Sequence, residues 1–238
     1  MKAQAVRLGY GAGVIEFTLR RRDRKTLSIS VDPELRVDVS APVNAPLDKI
    51  IEKVRTRAPW IQRQLRFFSQ FHPRTPRRRY EAGETHLYLG RQYKLKITHR
   101  VQQGVKLFRG CLLVESRRPK DTDATKGLVE GWYCERARVK FRERLSICQE
   151  RFPKPEDHEP TVLVIRQLRQ RWGSMTADGK LILNRSLIRS SVDAIDYVIT
   201  HELCHLLHGS HGEMFYRLLN RVMPDWEKRK NKLERQLA

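Results

Sequence analysis

The alternation of apolar and polar residues predicts strands in the first part of the chain. Through residues 14–42 the alternation has the period of half-buried strands, interrupted by the turn residues Asp32-Pro33-Glu34. We therefore expect an antiparallel meander in this region. The same alternation returns around the turns Gly90-Arg91 and Arg109-Gly110. It predicts four further short strands, at 86–89, 93–97, 105–108 and 111–114.

Two longer segments have helical spacing instead. The first covers roughly residues 46–70, although Pro59 is expected to break or restart the helix. A Pro- and Arg-rich loop at 71–79 follows. The second helix is predicted at about 126–150, after a polar stretch at 115–125 that is our candidate domain boundary.

The last part of the chain mixes a few strands with helices. A strand at 161–165 precedes a hairpin whose arms, 171–175 and 181–184, flank an Asp-Gly turn. A helix is expected after Ser190-Ser191 and up to Gly209, and a final amphipathic helix is broken near Pro224. We predict an α+β protein. Residues 1–118 form a β-rich region with one helix, and residues 119–238 form a second region.

Composition indicates a globular chain of 238 residues, because 39% are hydrophobic and 32% are charged. No apolar run approaches the roughly 20 residues of a membrane span, and the N-terminal residues lack the apolar core of a signal peptide. The four cysteines show no C-x-x-C spacing, which is typical of reduced thiols. We expect a cytoplasmic protein with no membrane partner.

The net charge of +21 favours nucleic acid, acidic proteins or another anionic surface as partners. The basic runs at 20–25 and 74–79 are not interleaved with aromatic residues, as a base-stacking surface would be. A solvated basic surface without a partner is an equally good interpretation.

The strongest local signal is the H-E-x-x-H motif, His201-Glu202-Leu203-Cys204-His205. On a helix, histidines at positions i and i+4 lie on one face and can bind one zinc ion. Glu202 lies beside the first ligand, where it can take a proton from a zinc-activated water. Cys204 lies off this face, and we expect it to be a buried small residue.

Two residues compete as the third ligand. His208 points nearly the same way as His201, but on a straight helix their Cα atoms would be about 10 Å apart along the axis. His211 follows Gly209, where the chain can turn back towards the metal. We favour His211 and expect His208 to orient a ligand or to face the substrate.

These segments together resemble the YgjP-like zinc metallopeptidases, bacterial relatives of the SprT-type zincins. The resemblance rests on Arg171-Trp172-Gly173-Ser174, on Leu183-Asn184, on the segment from Asp196 to His205, and on His211. It implies a zincin-like C-terminal core, zinc bound by the three histidines His201, His205 and His211, and Glu202 as the catalytic acid and base. One departure is Met175, where the family often has cysteine.

We therefore predict hydrolysis of protein or peptide substrates with a Zn²⁺ cofactor. Arg171, His208 and Tyr216 are candidates to stabilise the oxyanion, and the strand at Trp172 is a candidate to pair with an extended peptide. The alternatives are a nucleic-acid-associated protein with a structural zinc, or a peptidase that acts on proteins bound to nucleic acid. Structural zinc sites are usually four-coordinate and cysteine-rich, which the histidine set does not match.

Overall fold

The computed structural model describes residues 3–11, 13–32, 34–69, 78–168 and 171–237. The chain forms two compact units, one up to Thr75 and one from Pro76 to Leu237. Strand-rich and helix-rich segments are both present, and the α+β prediction is confirmed. No described helix is both long and apolar enough to cross a membrane.

The first unit is a four-stranded sheet with one helix. Its elements are β1 (Gln4–Tyr10), β2 (Gly13–Arg22), β3 (Ser28–Val31), β4 (Val37–Pro42) and α1 (Leu47–Ser69). The strand order is β1-β2-β4-β3, and β2 pairs with β4 in parallel. The predicted antiparallel meander is therefore wrong. Alternation identifies which residues face the core, but it does not determine which strands become neighbours.

Helix α1 runs through Pro59 without a break, contrary to our expectation. Pro59 lies on the exposed side of the helix. The carbonyl group that proline leaves without a helical partner is therefore open to water. The opposite side is fully buried, because Ile50, Val54, Ala58 and Ile61 pack into the core of this unit.

The second unit begins with a sheet of the same topology. Its elements are β5 (Thr85–Tyr88), β6 (Arg91–His99), β7 (Gly104–Phe108), β8 (Cys111–Ser116) and the long helix α2 (Thr122–Gln149). The order β5-β6-β8-β7 repeats that of the first sheet, with antiparallel, parallel and antiparallel pairs in turn. Each sheet is followed by one long helix, so the chain contains two consecutive ββββα arrangements.

The division between the compact units lies well before the boundary that we predicted at 118/119. Strand β8 buries Leu112 and Val114 in the same core as Tyr133 of α2. The polar stretch between β8 and α2 is a short connection inside one unit. Asp121 in this stretch caps α2 by accepting a hydrogen bond from the Ala124 N–H. A polar segment marks a turn to the surface, which need not be a domain boundary.

The described remainder of the second unit contains a small sheet, three α-helices and two short 3₁₀ helices, Pro155–His158 and Arg185–Arg189. The elements are β9 (Val162–Arg166), β10 (Gly173–Met175), β11 (Lys180–Asn184), α3 (Val192–Cys204), α4 (Glu213–Val222) and α5 (Trp226–Leu237). The sheet order is β10-β11-β9, which leaves β10 on an edge. The predicted hairpin and the break near Pro224 are confirmed.

Helix α3 is held in the second unit by a buried carboxylate. Asp196 accepts two 2.7 Å hydrogen bonds from the Arg144 guanidinium and a third of 2.8 Å from Arg151. Asp196 is only 2% exposed, so these charge-assisted bonds replace its lost hydration. They fix α3 against α2 and so set the position of the residues that follow along α3.

Candidate metal centre

Helix α3 ends earlier than the sequence indicates. It stops at Cys204, and His205 is its C-terminal cap with helical backbone angles. The N–H groups of His205 and Leu206 donate to carbonyl groups three residues back, which tightens the last turn. The predicted end at Gly209 is therefore wrong. His208 is therefore not part of the helix. Its side chain also lies outside the group of three histidines described next.

Three histidine side chains meet at the end of α3. Ligand atoms of His201, His205 and His211 all lie within 4.8 Å of one another, and the described residues contain no other such group of three. His201 and His205 come from α3 and its cap, and His211 comes from the loop that leads to α4. Phe215 of α4 is fully buried beneath them, with ring centroids 4.6 to 5.0 Å from each imidazole.

A backbone contact orients the second histidine. Nδ1 of His205 lies 2.9 Å from the carbonyl oxygen of His208, so Nδ1 carries the proton and Nε2 is left as an acceptor. The His208 N–H in turn donates to the Cys204 carbonyl at 3.0 Å. His208 therefore contributes through its main chain. The arrangement is the usual one for a metal-binding imidazole, whose other nitrogen is held by a carbonyl.

The environment favours neutral imidazoles, which is the form that binds metal. Burial, and then the charges of His211 and His205, lower the pKa of His201 to about 3. Burial also lowers the pKa of His211. The two Nε2 atoms of these residues are 2.9 Å apart. Two ligands of a tetrahedral zinc are separated by about 3.3 Å, given bonds of about 2.0–2.1 Å, so a small opening of the pair accommodates an ion.

Glu202 lies beside the cluster and is held from the neighbouring sheet. Its Oε2 accepts a 2.9 Å hydrogen bond from the Met175 N–H of β10. Burial raises the pKa of Glu202 to about 7, while this hydrogen bond and the charge of Arg171 act in the opposite direction. A Cβ atom added at Gly173 would lie 2.8 Å from Glu202 Cγ, so only glycine allows β10 to approach this closely.

The cluster opens into a cleft of about 740 Å³. Of the predicted contact residues, Arg171 and Trp172 line this cleft, whereas His208 and Tyr216 are not among its lining residues. Tyr216 lies beside the cluster, its ring centroid 6.3 Å from that of His211. Cys204 is fully buried and outside the cluster, as expected. The cleft is lined by residues 171–177, Tyr197, Val198, His201, Glu202, His205, Gly209, His211, Lys230, Leu233 and Glu234.

Several residues of this centre were not predicted as site residues, although Gly173 and Tyr197 lie in segments that carry the family resemblance. Tyr197 precedes His201 by one helical turn, a spacing that could have indicated a shared face. Gly173 interrupts a strand, which often marks close backbone approach. The Met175 N–H and the α5 residues carry no local signal, because their position depends on contacts between distant segments.

Comparison with known proteins identifies a family for this chain. The family model described as YgjP-like, metallopeptidase domain, matches residues 25–236, a span that contains the histidine cluster, Glu202 and the whole cleft. A search of curated proteins finds no significant match. The family description supports a metallopeptidase, and so a hydrolase, in general terms. With most of its length matched, the chain belongs to the YgjP-like metallopeptidase family.

Proposed function

We propose that the protein is a zinc-dependent peptidase in which His201, His205 and His211 bind the metal and Glu202 is the general base. The observation that carries the proposal is the convergence of three imidazoles beside a carboxylate in an open cleft. Three protein ligands with an open position are typical of catalytic zinc. A bound zinc ion would polarise the scissile carbonyl and acidify a water molecule.

The chain's own residues prepare the proton transfer. The Met175 N–H holds Oε2 of Glu202, which leaves Oε1 to accept the proton of the attacking water. The backbone at Gly173 confines the same side chain, since a Cβ atom added there would lie 2.8 Å from Glu202 Cγ and 3.0 Å from its Oε1. Glu202 can then return the proton to the departing amine without a large movement.

We further propose that an extended substrate pairs with β10. In the pairing with β11, the Trp172 carbonyl and the Thr176 N–H point towards β11. Backbone groups alternate along a strand, so those of Gly173 and Met175 point to the free edge. The Met175 N–H on this edge already binds Glu202, which places the edge beside the base. A peptide added there would pair with the edge groups that Glu202 does not occupy, the Gly173 N–H and carbonyl and the Met175 carbonyl, and would present its own carbonyl groups to the histidine cluster.

Arg171 and Tyr197 are our candidates to stabilise the negative charge that develops on the carbonyl oxygen. Both line the cleft. Arg171 is close enough for its charge to lower the pKa of Glu202. Burial raises the pKa of Tyr197, so its phenol remains a hydrogen-bond donor.

The experiment measures zinc content and casein cleavage on the same samples of four proteins: wild type, His211→Ala, His208→Ala and Glu202→Gln. We expect about one zinc ion per chain in the wild type and in Glu202→Gln, and its loss in His211→Ala. Glu202→Gln should lower cleavage about 10²- to 10⁴-fold, the usual contribution of a general base.

His208→Ala is the matched control, because the side chain lies outside the cluster and the carbonyl that binds His205 remains. It should keep its zinc. Normal cleavage by Glu202→Gln would refute the base role, and zinc retained by His211→Ala would refute the ligand set. A purely structural zinc is less well supported, since no fourth ligand joins the three histidines within the described parts of the chain.

A second proposal, independent of the first, is that the first unit contacts nucleic acid through α1. The exposed side of this helix carries a row at four-residue spacing, Lys49, Lys53 and Arg57, and none of the three forms an ion pair with a described residue. Arg55 and Arg63 of the same helix are also exposed and form no ion pair with a described residue. Such unneutralised cations are suited to phosphate groups. A peptidase with this surface would act close to proteins bound to DNA or RNA.

Titration of labelled single- and double-stranded DNA at 50–200 mM salt tests this second proposal. Replacing the three residues of the row by glutamine should weaken binding and reduce the salt slope by about 0.9 for each lost phosphate contact to duplex. The control replaces Lys126, Arg136 and Arg142 of α2, which changes the net charge equally. An equal loss in both variants, or negligible binding at low salt, would rule out a specific surface on α1.

A further inference from the structure

Helix α5 supplies one wall of the cleft and carries an acidic side chain into it. The cleft is lined by Lys230, Leu233 and Glu234 of this helix, and also by residues of β10. Leu233 is 1% exposed and so anchors the helix at this point. Trp226, two turns earlier, stacks on Tyr197 of α3 with ring planes 16° apart. Glu234 is thus fixed on the same cleft as the histidine cluster.

Glu234 is unusual because no cation among the described residues forms an ion pair with it. The protein has 48 basic and 27 acidic residues, so acidic side chains find partners easily. Among the described acidic side chains, those that are buried or half-buried pair with an arginine, a lysine or, for Glu84, a histidine, with two exceptions, Glu202 and Glu234. The other unpaired acids are exposed. Both exceptions line the same cleft.

The neighbourhood of Glu234 contains one cation that does not neutralise it. Lys230 lies one turn earlier on α5 and lowers the pKa of Glu234, but burial has the larger effect and the pKa is raised overall. Lys230 itself is exposed and forms no ion pair with Glu234. A carboxylate that is partly removed from water without a partner is costly, and a ligand cation would offset that cost.

We propose that Glu234 forms a subsite for a positively charged group of the substrate, an inference that rests on the peptidase function proposed above. The group is an ammonium or guanidinium. It comes either from a lysine or arginine side chain near the scissile bond or from the free N-terminus of the peptide. The net charge of +21 repels such substrates at long range, so a preference for them must arise locally.

The test measures binding and so does not depend on turnover. Zinc-loaded Glu202→Gln protein is titrated with dye-labelled peptides at about 0.15 M salt, the physiological ionic strength. The peptides share one backbone and carry lysine, norleucine or glutamate at a single position, which is moved along the sequence. Each is made with a free and with an acetylated N-terminus, which separates the side-chain source of the cation from the terminal source.

We expect one lysine position, or the free N-terminus, to bind about tenfold more tightly than its uncharged counterpart, as for a hydrogen bond to a charged group. Adding Glu234→Gln should abolish the preference, and Glu234→Lys should shift it to glutamate. Glu227→Gln is the matched control, because it makes the same change at an exposed position of α5 and should keep the preference.

Equal binding of lysine and norleucine peptides, together with equal binding of free and acetylated ones, would overturn the proposal. A preference that persists in Glu234→Gln, or an absence of binding by every peptide, would also overturn it. The zinc and casein measurements on the wild type are separate. Normal zinc loading with loss of cleavage in Glu202→Gln, together with no charge preference, would refute the subsite alone.

Discussion

Gly173 lies against Glu202, so its replacement by alanine tests whether the position of this carboxylate controls activity. The added Cβ atom would lie 2.8 Å from Glu202 Cγ and 2.9 Å from Val198 Cγ1. Carbon atoms in contact prefer about 3.5–4.0 Å. The substitution therefore requires a displacement of at least about 0.7 Å, shared between β10 and the Glu202 side chain.

The size of the effect follows from this displacement. Overpacking of a closely packed site costs about 1–3 kcal/mol, which in a protein of this length lowers Tm by about 2–12 °C. A displacement of about 1 Å in a reacting group can reduce the rate about 10²-fold. The zinc content should not change, because none of the atoms that approach the new Cβ belongs to a histidine.

Thermal unfolding, zinc content and casein cleavage are measured on Gly173→Ala and on the matched control Gly131→Ala. Gly131 lies in α2 with no atom within 4 Å of an added Cβ. Alanine at this position should stabilise the helix by about 0.5–1 kcal/mol and leave cleavage unchanged. A Gly173→Ala protein with wild-type Tm and cleavage would show that the reasoning about close approach is wrong.

Three further predictions concern the surroundings of the centre. Asp196→Ala leaves the largely buried Arg144 without its counter-ion and should cost about 3–5 kcal/mol in urea unfolding; a loss below about 1 kcal/mol would contradict this. Phe215→Ala removes the ring beneath the three imidazoles and should cost about 3–5 kcal/mol together with weaker zinc binding, measured by competition with a chelator; unchanged affinity would exclude a supporting role. Burial lowers the pKa of His86, so the folded state binds fewer protons than the unfolded chain and stability falls as pH drops below about 6.5. The stability difference between wild type and His86→Gln should therefore shift against the wild type from pH 7.5 to 5, and a constant difference would refute this.

The histidine cluster could be predicted because short-range geometry determines most of it. The spacing of His201 and His205 implies one helix face, and Gly209 allows the chain to return at His211. We disfavoured His208 as a ligand on the premise that the helix continues to Gly209. That premise is wrong, because the helix ends at Cys204, but the His208 side chain still lies outside the cluster.

Contacts between distant segments could not be predicted. The Met175 N–H reaches Glu202 across 27 residues, and Glu234 lies on a helix that begins well after the motif. The sequence also shows no repeat, although the two four-stranded sheets share one strand order. Periodicity reports which face of a segment is buried. It contains no information on which other segment covers that face.

The edge position of β10 also bears on how copies of the protein behave towards each other. An open strand edge that accepts an extended peptide can equally accept the edge strand of another copy, which is a common route to aggregation. β10 is only three residues long, whereas stable cross-β association requires segments of about six or seven. The net charge of +21 adds repulsion between copies. Under the proposed function, this short edge would bind a peptide that is held mainly by the cleft, without becoming a template for self-association.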